Sequence, residues 1–347
     1  MYNSDIHFKS MYDKAPGQFS FEGSTIDEWS RWGDAFRPAL QRALGLHNMA
    51  TDLQDHQPWA EQVEAVKLED YSREFWHLWV EPNVPLPFYL LRPDKQTTPA
   101  PLVLTPHGHN RPNLYVGIAN NPEEEESIKS GDRDIAVQAV KEGYTVIAPT
   151  TRAFGETRTN QNRQEDTLHS CRTELMHCLL VGRTVIGERV WDISRLIDWA
   201  LANLEIDPNR IAITGNSGGG TTSLHAAACD ARIAVAVPSC YFCTYVGSIG
   251  TIYHCDCNYI PGILRLGEMY DVAGLIAPRP FEAIAGEKDE IFPIQRVRTA
   301  FEKLKAIYAA AGAPENCELY VGSEGHRYYK DGAWPFIRKH FTQHQQS

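Results

Sequence analysis

Ser217 stands in the run ITGNSGGGTTS (213–223), between Gly215 and Gly219. A Gly-x-Ser-x-Gly run that joins an apolar stretch to a helix-forming one puts the hydroxyl on a sharp turn where only small neighbours fit. A serine hydroxyl is a weak nucleophile at neutral pH. It needs a base to take its proton and a carboxylate to orient that base. FEAIAGEKDEIFP (281–293) offers Asp289 just beyond an apolar run, with Glu287 and Glu290 beside it. YVGSEGHRYY (320–329) then offers His326, the only histidine between Asp289 and the last helical stretch. His340 and His344 fall in that stretch and its tail, where exposure is expected, and His225 follows the serine as a packing or surface residue. Serine, acid and histidine in this order are the equipment of acyl transfer through an acyl-serine. A phosphate loop would need Lys-Ser/Thr and a dinucleotide loop Gly-x-Gly-x-x-Gly; the run has neither.

The elements that must hold these residues are legible in the hydrophobic pattern. Short apolar runs at 102–106, 144–149, 210–214, 233–237, 281–285 and 317–321 predict buried strands. Helix-length segments separate them, at about 132–142, 184–203, 218–229, 293–311 and 333–342. Such alternation means strand–helix–strand units: a mostly parallel central sheet with helices on both faces. Ligands bind beyond the carboxyl ends of such strands, where all three residues fall. REFWHLWVEPNVPLPFYLLRP (73–93) predicts a hairpin ahead of that sheet. Residues 1–65 predict a helical extension, in which Ile26, Trp29, Phe36, Leu40 and Leu44 share a face that Pro38 interrupts. It is expected to dock on the main unit, 66–347, with an alternative role as a roof over the site or a subunit contact. PEEEES (122–127) is expected to be a solvated loop.

These residues resemble the α/β-hydrolase superfamily, and within it the acetyl-xylan-esterase-like and dienelactone-hydrolase-like group. TRAFGET (151–157), HCDCNYIPGIL (254–264) and DVAGLIAPRP (271–280) carry the closer likeness, which covers about residues 70–345. The resemblance implies an α/β-hydrolase fold and hydrolysis of an ester. It selects Asp289 as the acid, because Gly-x-x-Asp followed by an apolar residue and Pro293 is similar to the superfamily's acid loop. It also implies an oxyanion hole built from the backbone N–H groups of Gly218 and of His109, the latter in the loop LVLTPHGHN (102–110). Dienelactone hydrolases proper use a cysteine; Ser217 argues for an ordinary ester instead.

The segment 239–275 reads as an insertion forming one pocket wall. Tyr241, Tyr253, His254 and Tyr259 are its candidate substrate contacts, by residue types that suit sugar rings or compact polar esters, with acetylated carbohydrate the first guess; His107, in the loop 102–110, is a further candidate contact. The rival readings are a peptidase or amidase of the oligopeptidase type, and a non-catalytic homologue that binds a small molecule. Haloalkane or epoxide chemistry would need an aspartate at position 217. With 347 residues, 43% hydrophobic and 22% charged, the chain is globular in composition. A net charge of −11 disfavours nucleic acid and anionic membranes as partners. The expected partner is a small-molecule ester, with a homo-oligomer left open, and the expected location is cytoplasmic. The eight cysteines are expected to be reduced. Cys240, Cys243, Cys255 and Cys257, with His254 beside them, hint at zinc. The second pair is too close for the usual spacing, so they read as small buried hydrophobes, and no metal or cofactor is expected.

Overall fold

The computed structural model describes residues 2–343. Its strands are β1 (Ala60–Lys67), β2 (Tyr71–Glu81), β3 (Val84–Pro93), β4 (Ala100–Leu104), β5 (Thr145–Pro149), β6 (Ile206–Asn216), β7 (Val235–Ser239), β8 (Phe281–Gly286) and β9 (Cys317–Gly322). They form one sheet in the order β1-β2-β3-β5-β4-β6-β7-β8-β9. β1, β2 and β3 are an antiparallel meander, and β3 joins β5 antiparallel. From β5 to β9 every pairing is parallel. This is the mostly parallel sheet that the alternation predicts, in the α/β-hydrolase arrangement that the resemblance implies.

Side chains alternate across a strand, so each parallel strand feeds two cores. Leu102, Leu104, Ile211 and Ile213 enter one, with the helices Ile26–Leu44, Val185–Asn203, Gly218–Cys229 and Ile294–Ala310 over them. Val103 and Ala212 enter the other, under the helices Ile135–Lys141 and Lys330–Gln343. Burial on both faces is why these strands read as continuous apolar runs.

Four features differ from the sequence reading. β1 is an unforeseen strand that lies mostly in solvent, so it carries little apolar signal. The acidic run opens a helix, Pro122–Gly131: Asn121 caps it by accepting from Glu124 N, and Glu123, Glu124 and Glu125 complement the positive helix start. Pro38 does not break its helix, which runs Ile26–Leu44 between a Thr25–Glu28 capping box and a left-handed Gly45. His340 is buried, 4.5 Å ring to ring from Phe336, instead of exposed; His344 lies outside the described residues. The Ile26–Leu44 helix packs Phe36, Leu40 and Leu44 into the core, and its Arg37 and Gln41 donate to Leu275 O and Cys229 O. It therefore braces the far end of the Gly218–Cys229 helix.

Candidate active site

β6 runs straight into Ser217, which has φ +59° and ψ −118°. A side chain in that region is strained by about 1–3 kcal/mol. The turn is held from both sides: Ser217 N donates to Ser239 O at 2.9 Å, and Ser217 O accepts from Thr221 N at 2.9 Å. The flanking glycines are required by space. A Cβ at Gly215 or Gly219 would stand 2.4 or 2.1 Å from the carbonyl oxygen of Pro106. From Arg210 to Ala228 every residue is buried except Ser217. The fold thus delivers one hydroxyl to the surface at the carboxyl edge of the sheet.

Asp289 follows β8 and is buried, while its neighbours Glu287 and Glu290 are exposed. Its Oδ1 accepts the N–H groups of Ile291 and Phe292 at 2.9 and 3.1 Å. Its Oδ2 lies 2.8 Å from His326 Nδ1. A carboxylate can only accept, so that nitrogen carries the proton and Nε2 is left as the acceptor. The His326 ring is stacked on Phe292 at 5.8 Å. Cys240, next in the chain to Ser239, has its sulfur within 4.8 Å of the Asp289 and His326 ligand atoms. The ends of β6, β7, β8 and β9 thus converge.

The loop after β4 passes beside the serine turn. His107 accepts Thr151 N–H on Nε2 at 3.0 Å and donates from Nδ1 to Gly108 O at 2.7 Å. Gly108 N donates to Tyr115 Oη at 3.0 Å. The next backbone N–H, that of His109, has no acceptor among the described residues. Gly218 opens its helix, so its N–H lies outside the helical ladder.

The candidate substrate contacts separate. His107 and Tyr241 are buried, and both nitrogens of His107 are spent inside the protein, so neither is a pocket wall. Tyr253 is 94% exposed. Tyr259 is exposed and donates its hydroxyl to Ile249 O at 3.1 Å. His254 accepts from Asn258 Nδ2 on Nδ1 at 3.0 Å, while its buried Nε2 has no partner among the described residues. It packs edge-on against Phe292, the ring that also carries His326. Burial holds the imidazole neutral, at about 4.

The sequence profile of an abhydrolase family matches residues 6–332. The chain belongs to that family. YtaP of Bacillus subtilis, provisionally named a hydrolase, is 26% identical over 296 residues, 82% of this chain and 93% of its own. Among solved structures, a Bacteroides fragilis protein provisionally named an acetyl xylan esterase superposes with a TM-score of 0.75 at 19% identity, over 96% of this chain and 84% of its own. A glucuronoyl esterase of Solibacter usitatus gives 0.65 at 12%, over 95% and 99%. These structures share the fold.

In this abhydrolase the loop after β5 is fastened by a buried ion cluster. Arg152 hydrogen-bonds Asp192 through Nε and Nη2, at 2.9 and 2.7 Å, and forms an ion pair with Glu81 through Nη1 at 2.6 Å; Glu188 stands at 3.4 Å. The anchor extends through Thr151 to His107 and so to Gly108 and His109. Arg152→Met should cost about 3–5 kcal/mol, because it strands buried carboxylates. Urea denaturation of the variant checks this.

Burial also makes the fold acid-sensitive. His225 is fully enclosed, bonded to Thr221 O and Tyr245 Oη, and burial lowers it from 6.5 to about 4. The unfolded chain takes up that proton below about pH 6.5 and the fold does not, so acid favours unfolding down to about pH 4. In His225→Gln the loss of stability between pH 7 and 4 should shrink by about 3 kcal/mol, read as a flatter urea midpoint against pH.

The cysteines regroup. Cys240 and Cys243 lie apart from Cys255 and Cys257, Cys243 packing with its N–H on the Met269 sulfur. Cys255 and Cys257, with sulfurs 3.3 Å apart, meet His109 and Cys171 instead; all four ligand atoms lie within 4.8 Å of one another. Cys171 sits at the start of the helix Cys171–Leu180, a helix that the sequence pattern leaves unmarked.

Proposed function

We propose that this abhydrolase is a serine esterase that works through an acyl-enzyme. The observations that support the reading are a partly exposed serine on a strained turn at the carboxyl edge of the sheet, and an Asp289–His326 hydrogen bond that leaves Nε2 as the acceptor a base requires. His326 Nε2 takes the Ser217 proton as the hydroxyl attacks the ester carbonyl. Asp289 fixes the tautomer and offsets the charge of the imidazolium. The Gly218 and His109 N–H groups receive the oxyanion, each lowering the barrier by about 3 kcal/mol. His326 returns the proton to the leaving alcohol, then activates the water that releases the acid.

The proposed substrate is a short-chain ester, an acetyl group on a carbohydrate. His254 supports this: its Nε2–H is an unpaired donor beside the Phe292–His326 stack, suited to a sugar hydroxyl. Tyr253 and Tyr259 add an aromatic rim. The names acetyl xylan esterase and glucuronoyl esterase on proteins of the same fold point to a carbohydrate ester, the first of them to an acetyl one. Among the described residues no helix is long and apolar enough to cross a membrane. A cytoplasmic setting would supply the sugar as imported oligosaccharide.

The test is hydrolysis of 4-nitrophenyl acetate, butyrate and octanoate and of an acetylated xylo-oligosaccharide, with fluorophosphonate labelling of Ser217. Acetate preference that extends to the sugar supports the full reading. Activity on the acetate ester with none on the sugar leaves the mechanism and removes the substrate. A folded protein that never labels removes both.

A further inference from the structure

The side chains of His109, Cys171, Cys255 and Cys257 form a cluster that the acyl-transfer chemistry does not use. Its four ligand atoms come from three distant segments: the loop after β4, the helix Cys171–Leu180 and the insertion after β7. His109 Nε2 lies 3.2 Å from the Cys257 sulfur, which lies 3.3 Å from that of Cys255. Those are non-bonded sulfurs, well beyond the 2.05 Å or so of a disulfide. Three thiolates and one imidazole are a tetrahedral zinc set, whose ligand atoms stand about 3.5–3.8 Å apart around bonds of about 2.0–2.3 Å. Those two distances are a few tenths of an ångström from that edge, and all four atoms lie within 4.8 Å of one another.

A second observation points to the same ion. Arg189 is fully buried, yet no carboxylate lies within 4.0 Å of it among the described residues. It donates to Arg152 O at 2.9 Å, faces the Phe154 ring at 5.6 Å, and places Nη2 3.8 Å from the Cys171 sulfur; its Nε has no partner among the described residues. A buried cation without an anion is costly. Three thiolates around a divalent ion with a neutral imidazole carry one net negative charge, which is what Arg189 lacks.

We propose that His109 Nε2 and the sulfurs of Cys171, Cys255 and Cys257 bind one zinc ion per chain. Four protein ligands fill the tetrahedron and leave no position for water, so the ion is structural. Its effect is positional. The ring of His109 packs on Gly218: a Cβ there would lie 3.0 Å from two of its atoms. Zinc therefore clamps the loop that carries the His109 N–H against the start of the Gly218–Cys229 helix, with the insertion held alongside. Asn258, next to the ligand Cys257, reinforces this by accepting from Thr221 Oγ1 at 2.9 Å.

Metal content of the full chain, purified under reducing conditions without chelator, tests the site. The expected result is one zinc per chain by plasma mass spectrometry. Cys171→Ser and the Cys255→Ser/Cys257→Ser pair should hold at least about tenfold less, and Cys243→Ser should hold the wild-type amount. Should the ligand variants not fold, cobalt decides on the wild type. Exchange of Co2+ into the site should give thiolate-to-cobalt charge transfer in the near ultraviolet and intense tetrahedral bands in the visible. Wild-type protein that lacks zinc and develops no such bands overturns the proposal. So does a Cys255–Cys257 disulfide in freshly purified protein, or zinc retained in full by the folded double variant. No substrate enters these measurements, so their outcome is separate from that of the esterase reading.

Discussion

Ser217→Ala should lower kcat/KM for 4-nitrophenyl acetate by about 10⁴–10⁶-fold, with the melting temperature unchanged. Alanine keeps the Cβ and so keeps the strained backbone at φ +59°. Only the attacking oxygen is lost. Ser217→Gly separates chemistry from strain. It should be equally inactive, yet more stable by about 1 kcal/mol or more, because glycine accepts that backbone without penalty. Steady-state kinetics and urea denaturation on the three proteins check both halves. Activity retained in the alanine variant would move the nucleophile elsewhere. A glycine variant no more stable than wild type would mean that the turn stores no strain.

Asp289→Asn should reduce kcat by about 10⁴-fold while KM changes little. The reasoning lies in the two backbone donors. The N–H groups of Ile291 and Phe292 both point at Oδ1. In the variant they will hold the amide oxygen at that position and turn the NH₂ toward His326. An NH₂ can only donate, so His326 Nδ1 must become the acceptor and Nε2 must carry the hydrogen. The ring then presents a proton to Ser217 instead of a lone pair. Substrate binding is untouched, so the loss belongs in kcat. Glu287→Gln is the control: that carboxylate is exposed and pairs with Arg298, so its removal should leave kcat within about twofold. An Asp289→Asn enzyme within tenfold of wild type would take the carboxylate out of the mechanism.

Strand–helix alternation and the motif around Ser217 were readable because both are local. Buried parallel strands have no polar face, and a tight turn at 215–219 tolerates only glycine beside Pro106 O. β1 escaped because an exposed strand has no apolar period. The Pro122–Gly131 helix escaped because its stability sits in its cap and first-turn charges. Long-range geometry explains the rest. His107 and Tyr241 have the residue types of a sugar site, yet the sheet buries both. The spacing of Cys240, Cys243, Cys255 and Cys257 suggested one group of four. Chain folding split it and supplied His109 and Cys171 from segments that no local spacing connects.

β1 has a consequence for how copies of this chain can meet. It forms one border of the sheet, with its outer N–H and C=O groups unmatched by any further strand among the described residues. Such a border invites another molecule's strand to add to it. Here the sequence AEQVEAVK places Glu61, Glu64 and Lys67 on it, and the register slips between Gln62 and Glu64. Charge and irregularity together oppose a neighbour's strand in register, so sheets of two molecules should not fuse along this side. A dimer formed on this side must then use side-chain surfaces, and its formation would leave the pairing of β1 with β2 as it is.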